Sequence, residues 1–323
     1  MFKCRKYRRS FTLIELSIVL SVLSLFVIMT ISGASIINNA NSLRIIKQIS
    51  NYREAIGHFY RTYGALPGDY NDAQYKLAPS GYTQMSSRDL STLSKDILNK
   101  IPLNGSSNGM VEGNINGDLS FHYSEVYGVW SHLGASGLID NKYSNTCYDI
   151  SSSDRRKCSK AGYNLPKIQG GYNENSSFIF YSSLLEANDA RLYGAIIDQI
   201  KSIGETKSYN MLLLTDVSRS YVYNSSVALD DYVTFGAGGA VSSNIMIKID
   251  TKIDDGMPFT GRVFGVNGGE KDNQKDGNLM EGQCNTYKGD NSKFNGDDYK
   301  SIVYTNQGNK SCVGIVLFDE FNS

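Results

Sequence analysis

The sequence predicts an α+β protein in which one long N-terminal helix spans a membrane and then packs on a C-terminal globular head containing an antiparallel sheet. No charged residue occurs from Leu16 to Leu43, and residues 11–34 supply the roughly 20 apolar positions that a membrane helix needs. An apolar stripe at helical spacing then continues to Tyr63. Short apolar segments near the C-terminus, such as 313–318, have the length of strands.

Charge at the N-terminus predicts the orientation of this helix. The first ten residues contain five basic side chains and no acidic one. Basic residues before a membrane helix stay in the cytoplasm, so residues after the helix are expected to be exported. The whole chain carries 32 basic and 32 acidic residues, and this balance gives no indication of a nucleic-acid partner.

Glu15 separates three interpretations of the N-terminal segment. A secretory signal peptide would use Ser32-Gly33-Ala34 as its cleavage site, but the uncharged stretch is longer than such a peptide needs. A plain signal anchor gives Glu15 no role, although an ionisable group in a membrane helix is costly and usually marks function. The third interpretation assigns that carboxylate a function.

The segment Arg9-Ser10-Phe11-Thr12-Leu13-Ile14-Glu15 resembles the processing site of type IV prepilins. The resemblance implies cleavage between Ser10 and Phe11 by a prepilin peptidase, followed by N-methylation of Phe11. It also implies that Glu15 pairs with the N-terminal amine of a neighbouring subunit during filament assembly. Ser10 stands where the family usually has Gly.

The helix is predicted to run from about Phe11 to Tyr63 and to end before Pro67. Its second half carries an apolar stripe that would dock on the head: Ile45, Ile49, Tyr52, Ile56, Phe59 and Tyr63. The predicted organisation is a basic leader at 1–10, a transmembrane half-helix at 11–35, an amphipathic half-helix at 36–63 and an exported head at 64–323. By resemblance, this architecture is pilin-like.

Two motifs of the head resemble exported prepilin-like proteins. One is the turn Leu66-Pro67-Gly68-Asp69, in which Asp69 is expected to cap local backbone donors. The other is Glu125 with Trp130-Ser131-His132-Leu133, on a helix predicted over 121–136. Trp130 is expected in the core, and His132 is expected to be a polar cap or a surface residue.

Further elements are predicted from apolar spacing. Residues 177–203 are predicted to be helical, and 209–215 form either a buried strand or a further helix. A helix capped by Ser242 or Ser243 would be followed by a strand at 262–266. Terminal strands are predicted at 301–304 and 313–318.

Four of the five cysteines follow the membrane segment, which suggests two disulfides in an oxidising compartment. Three pairings are possible. Cys147–Cys158 with Cys284–Cys312 closes the shortest loops and is favoured. Four reduced thiols are the alternative.

The sequence predicts no metal and no cofactor. Some pseudopilins hold calcium in a C-terminal loop, so the resemblance leaves Asp254 and Asp255 as a candidate calcium site. Calcium needs six to eight oxygen ligands, and the sequence offers only two or three there.

These features predict a structural subunit, a minor pilin or pseudopilin of a type IV pilus or type II secretion-like filament. Its expected partners are a prepilin peptidase, other pilin or pseudopilin subunits, an inner-membrane assembly platform and the lipid bilayer. It would cross the inner membrane once and then enter a periplasmic or extracellular filament. The alternative is a membrane-anchored exported adhesin or enzyme, although the three histidines of the chain suggest no catalytic constellation.

Overall fold

The structure is a computed structural model. It describes residues 12–79, 93–98, 100–112, 124–149, 158–184, 208–217, 238–267, 284–286, 301–305 and 311–318. The chain divides into two compact units, Met1–Ala40 and Asn41–Ser323. The four-part division into leader, two half-helices and head stays a prediction.

Helix α1 extends over 51 residues, Leu13–Tyr63. Its first part exposes large apolar side chains continuously, with Leu13 at 88% and Phe26 at 61% exposure. The apolar stripe of its last part is buried as predicted except at Tyr63, which is half-buried, and Ile45, Ile56 and Phe59 have no exposed surface. Within the described residues, no helix has the combination of length and apolarity required to span a membrane.

The remaining helices are short. They are α2 at Ala73–Leu77, α3 at Lys95–Leu98, α4 at Glu125–Ala135 and α5 at Ser243–Ile253. Helix α4 is buried along almost its whole length, because every residue from Glu125 to Gly134 is inaccessible to solvent or nearly so. Ser242 precedes α5 in an extended conformation, as a cap residue does, but its side chain makes no capping hydrogen bond.

The sheet is antiparallel, so the α+β class is confirmed. Its strands are β1 at Ser176–Leu184, β2 at Ser208–Asp216, β3 at Gly238–Gly239, β4 at Val241–Ser242, β5 at Val263–Asn267 and β6 at Ser311–Phe318. The order is β1-β2-β6-β4, with β3 pairing with β2 and β5 pairing with β6. Strand β2 is central, because Leu212 faces Phe180 on one side and Val316 on the other.

Loops cover parts of both outer edges of this sheet. Beside β1, the amide of Phe178 donates to the carbonyl of Pro166 at 3.0 Å, and the amide of Ser182 donates to that of Val111 at 3.0 Å. Beside β5, the amide of Gly265 donates to the carbonyl of Pro258 at 3.0 Å. An uncovered edge would present unpaired backbone groups to other chains, so these loops protect the sheet.

Aromatic contacts join α1, α4 and the sheet into one core. The ring of Tyr52 meets Trp130 of α4 edge-on at 5.0 Å and Phe178 of β1 at 5.2 Å. Such edge-to-face pairs add about 0.5–1.5 kcal/mol beyond the burial of their area. Arg53 donates to the carbonyl of Leu317 at 3.2 Å and lies 4.8 Å from the ring centre of Phe318. Trp130 is a core residue, as expected.

Two predicted elements are wrong. The helix predicted from Ser177 is strand β1 at its described start, and residues 185–203 lie outside the described residues. Phe178, Ile179 and Phe180 are fully buried, so this apolar run is a strand covered on both faces rather than one face of a helix. The terminal strand predicted from Ser301 is also wrong, because only an isolated bridge between Tyr304 and Asn285 forms there.

The other predicted strands are confirmed with small shifts. Residues 209–215 form a strand rather than a further helix, and the strands at 262–266 and 313–318 correspond to β5 and β6. Helix α4 begins at Glu125 after the cap residue Ser124. The first three residues of the predicted helix, 121–123, lie outside the described residues.

The four cysteines after residue 140 form two local disulfides. Cys147 bonds to Cys158, 11 positions away, and Cys284 bonds to Cys312, 28 positions away. The second bond fastens the short segment at 284–286 to β6. Both pairs are the ones that the sequence favours.

Removing the disulfide that closes the longer loop should destabilise the protein more than removing the disulfide that closes the shorter loop. Loop entropy predicts losses of about 3.6 kcal/mol for Cys284→Ser/Cys312→Ser and about 2.8 kcal/mol for Cys147→Ser/Cys158→Ser, because a longer crosslinked loop restricts the unfolded chain more. Urea unfolding of the detergent-solubilised full chain measures both. A larger loss for the Cys147/Cys158 double variant would contradict the chain-entropy explanation.

Candidate functional site

The described chain begins at Thr12, one residue after the predicted cleavage site, so Ser10 and Phe11 lie outside the described residues. Thr12 and Glu15 bond to each other at the start of α1. The carboxylate of Glu15 accepts from the backbone amide of Thr12 at 2.8 Å and from its hydroxyl at 2.9 Å. The amide of Glu15 donates to the Thr12 hydroxyl oxygen at 3.3 Å.

This reciprocal pair is a capping box, in which Thr12 is the cap residue and Glu15 is the third residue of the helix. It satisfies two of the amides that the first turn of any helix leaves without intrahelical partners. Sequence reasoning missed this box, although its signal, the pattern Thr-x-x-Glu before an apolar run, is present in the sequence. The capping box gives Glu15 a partner within its own chain.

Hydroxyl groups of the apolar part of α1 are also satisfied within the helix. Ser17 donates to the carbonyl of Ile14 at 2.8 Å, Ser21 to that of Ser17 at 2.8 Å and Ser24 to that of Ser21 at 2.8 Å. These bonds direct the hydroxyl hydrogens to the backbone. The hydroxyl groups of Ser17, Ser21 and Ser24 therefore have partners within the helix. Glu15 is the charged residue of this apolar part of α1.

The two head motifs meet through closely packed glycines. Gly68 has a positive φ of 93°, and a Cβ there would lie 2.5 Å from the carbonyl oxygen of Glu125. A Cβ on Gly128 would lie 3.3 Å from the Cα of Gly68, and one on Gly105 would lie 2.2 Å from the carbonyl oxygen of Gly68. Only glycine allows the turn, the loop at 103–112 and α4 to approach this closely.

Asp69 holds the loop at 103–112 rather than its own turn. Its carboxylate accepts from the amides of Asn108 at 3.0 Å and Gly109 at 2.9 Å and from the hydroxyl of Ser106 at 3.1 Å. Asp69 does accept from backbone donors, but the prediction that these donors are local is wrong, because the two amides lie 39 and 40 positions away along the chain. Burial raises the pKa of Asp69, and these bonds oppose the increase.

Glu125 holds the same loop from the side of α4. Its carboxylate accepts from the amide of Ser106 at 2.6 Å and from the amide of Glu112 at 3.0 Å. Burial raises the pKa of Glu125, and the nearby charge of Asp69 adds to the increase. The two carboxylates together fix the backbone of the loop, which is a structural task rather than a catalytic one.

His132 is fully buried, so the expectation of a cap or surface residue is wrong. Its Nδ1 accepts from the amide of Gly68 at 2.9 Å, and its Nε2 lies 2.7 Å from the carbonyl oxygen of Leu103. A carbonyl can only accept, so Nε2 carries the proton and the imidazole is neutral. Burial lowers the pKa of His132 to about 4. Protonation of Nδ1 would place its N–H against the N–H of Gly68 and break the hydrogen bond between these two nitrogen atoms.

Near the C-terminus, Asp250 joins Asp254 and Asp255, and their oxygen atoms lie within 4.8 Å of one another. Asp250 accepts from the hydroxyl of Tyr304 at 2.7 Å and from the amide of Gly256 at 3.2 Å. Burial raises the pKa of Asp250 to about 7.

The other two acids of this cluster also accept hydrogen bonds from the protein. Asp254 accepts from the amides of Arg262 and Val263, and Asp255 accepts from the amide of Met257 at 2.8 Å and from the hydroxyl of Thr260. The cluster thus caps the turn that joins α5 to β5. The expected lack of a metal, with calcium at Asp254 and Asp255 as its alternative, stays a prediction.

Acid should destabilise the protein through His132. An imidazole whose folded pKa lies below its unfolded value contributes stability that is lost as the pH falls from about 6.5 through about 4. Over that range the difference between wild type and His132→Gln should shrink by about 3 kcal/mol. Urea unfolding from pH 4 to pH 8 measures this difference directly.

The pKa values of Asp69 and Glu125 are raised, so these two carboxyl groups contribute more stability as the pH falls, whereas His132 contributes less. Both carboxyl groups are present in wild type and in His132→Gln, so the difference between the two proteins isolates the effect of His132. His58→Gln is the matched control, since it removes an imidazole from an exposed position of α1. Parallel stability curves for wild type and His132→Gln would show that the buried imidazole does not titrate as described.

The prokaryotic N-terminal methylation motif matches residues 5–31 of the chain. The comparisons of the chain with curated proteins and with solved structures found no match. The match includes Thr12 and Glu15 of the capping box and the exposed apolar side chains that follow. The chain therefore carries the type IV prepilin-like signature at its N-terminus.

Proposed function

We propose that this protein is a structural subunit, a minor pilin or pseudopilin, of a type IV pilus or type II secretion-like filament. A prepilin peptidase would cleave it between Ser10 and Phe11 and methylate the new amine of Phe11. The observation that carries the proposal is Glu15, a carboxylate at the start of an exposed apolar helix within the matched methylation motif.

Exposed apolar surface supports membrane residence followed by assembly. Large apolar side chains from Leu13 to Met29 are at least 46% exposed. Water does not tolerate a continuous surface of this kind, so it requires lipid or the apolar helices of other subunits. The proposed route uses both environments, first the inner membrane and then the centre of a filament. The filament would be periplasmic or extracellular.

Glu15 supplies the specificity of the assembly step. In the single chain its carboxylate bonds to Thr12. In a filament it would lie among apolar helices, where a charge needs an opposite charge close by. Cleavage creates such a charge, the amine of Phe11 on a neighbouring subunit. Assembly would thus replace the Thr12 contact with a charge pair between subunits.

The partners follow from this route. They are the prepilin peptidase, other pilin or pseudopilin subunits, the assembly platform in the inner membrane and the lipid bilayer. The architecture of the head supports a structural role, because its buried acids and His132 bind backbone groups of their own chain. The proposal includes neither an enzymatic reaction nor a cofactor.

The mature chain is expected to begin at Phe11. Mass spectrometry of the N-terminal peptide from cells that contain a prepilin peptidase should show an N-methylated Phe11, and the same cells without the peptidase should retain Met1. Ser10→Gly restores the residue usual in the family and should be processed at least as fast. A mature start after Ala34 would instead identify an ordinary signal peptide.

Glu15→Val should keep the protein in the membrane and leave cleavage intact but remove it from filaments. Loss of an ionisable group favours membrane insertion, whereas the amine of the neighbouring subunit loses its partner. Comparison of membranes with sheared surface filaments measures both effects.

Two further variants separate the charge from other properties of the residue. Glu15→Gln preserves the acceptor for the Thr12 amide, since glutamine also forms capping boxes, but it lacks the charge. It should fail to assemble as Glu15→Val does. Ser21→Val removes a polar group whose bond is internal to the helix and should assemble normally. Normal incorporation of Glu15→Gln would refute charge pairing.

A further inference from the structure

Three exposed cations occur on α1 near its middle and on the loop that contacts it there. Arg44 and Lys47 are exposed on the helix, and Lys167 is exposed on the loop before β1. We call these three residues the basic collar. No acidic residue occurs in the chain between Glu15 and Glu54, so α1 offers no nearby carboxylate to neutralise them.

Hydrogen bonds from the side chain of Gln48 to the backbone hold the loop of Lys167 against α1. The side chain of Gln48 donates to the carbonyl of Lys167 at 3.1 Å and accepts from the amide of Gln169 at 2.9 Å. Arg44 lies one turn before Gln48 on the same face, because residues four apart are neighbours on a helix. The loop of Lys167 therefore packs against the face of α1 that carries Arg44.

The same loop lies close to α1 at a second place. A Cβ on Gly170 would lie 2.8 Å from the Cβ of Asn41, so the loop passes directly over that side chain. The two places, Gln48 and Asn41, are two turns apart on α1. The loop is thus positioned on α1 by contacts within the protein.

An apolar side chain accompanies the collar. Leu43, next to Arg44, is 59% exposed, whereas Ile45 is fully buried. Exposed leucine beside lysine and arginine is the composition of protein surfaces that lie at the boundary between lipid headgroups and acyl chains. The apolar chain enters the boundary while the cations reach the phosphates.

We propose that the basic collar binds the phosphate groups of anionic phospholipids while the subunit is held in the membrane. This inference rests on the proposed function, since it needs α1 to be inserted. Each basic side chain close to an anionic bilayer strengthens membrane association by about fivefold. The collar would seat the head on the exported leaflet, and the subunit would leave these lipids when it enters a filament.

A second copy of this chain fits the basic collar less well than an anionic phospholipid does. The acidic cluster of Asp250, Asp254 and Asp255 is the obvious anionic counterpart on the described head, but its carboxylates already accept hydrogen bonds from their own chain. Lipid phosphates, by contrast, occur next to the apolar layer that Leu43 would enter.

Lysine reactivity tests the proposal on the full chain. The protein is reconstituted into preformed vesicles of phosphatidylcholine, with or without phosphatidylglycerol, and treated with a membrane-impermeant amine-acylating reagent. Mass spectrometry then gives the acylation rate of each lysine. Lys100 and Lys142, which are also exposed, are the internal controls.

Lys47 and Lys167 should react at least about threefold more slowly in the vesicles that contain phosphatidylglycerol, while Lys100 and Lys142 react at unchanged rates. The protection should disappear in 1 M salt, where the screening length falls to about 3 Å. Arg44→Gln should weaken the protection of both collar lysines, and the matched variant Lys142→Gln should not.

Equal rates of Lys47 and Lys167 in the two kinds of vesicle would overturn the lipid proposal. Protection that increases with protein density in pure phosphatidylcholine would also overturn it and would assign the collar to a second copy. Extraction of the same vesicles with alkaline carbonate tests the anchor separately. A protein that carbonate removes would refute the membrane step of the proposed function, whereas a resistant protein without collar protection would refute the collar alone.

Discussion

Tyr52 of α1 lies between Trp130 and Phe178, and the head is assembled around this contact. Trp130 belongs to α4 and Phe178 to β1, so a single ring of α1 contacts both a helix and the sheet of the head. Because α4 and β1 come from distant parts of the chain, neither could form this core alone. Loss of the contact would expose three aromatic side chains, each a large part of the buried apolar area.

Hydrogen bonding around Gly68 complements this apolar core. Asp69, Glu125 and His132 each bind backbone groups across the junction of the turn, the loop at 103–112 and α4. All three are costly to bury, and each is buried with backbone partners. Their pKa shifts have the signs that burial requires, upward for the acids and downward for the imidazole.

Glu15 differs from these buried acids because it is exposed. At the start of α1 its carboxylate accepts hydrogen bonds from Thr12 among the described residues. A capping box is a local structure that one helix can form by itself. In the proposed route, this carboxylate would exchange the Thr12 contact for the amine of a neighbouring subunit when a filament assembles. The basic collar would act at the stage before assembly.

Features that depend on local pattern can be predicted from the sequence alone. The apolar stripe from Ile45 to Phe59 specifies a helix with one buried face, and residues 5–31 match the methylation motif. The even set of cysteines after residue 140 and their spacing led to the two local pairs. Each of these inferences needs only residues that are near one another in the chain.

Contacts between distant segments decide the remaining features. The apolar pattern around Phe178 predicts a helix, but pairing with β2 makes these residues a strand. His132 is polar, so sequence reasoning placed it at a cap or a surface. The amide of Gly68, 64 positions away, gives the buried ring of His132 a hydrogen-bond partner. Gly68, Gly105 and Gly128 are ordinary glycines in the sequence. Only the fold shows that a Cβ on Gly68 or Gly105 would collide with another segment and that one on Gly128 would be in tight contact with Gly68. Burial and hydrogen bonding are long-range properties, and a single sequence does not contain their partners in readable form.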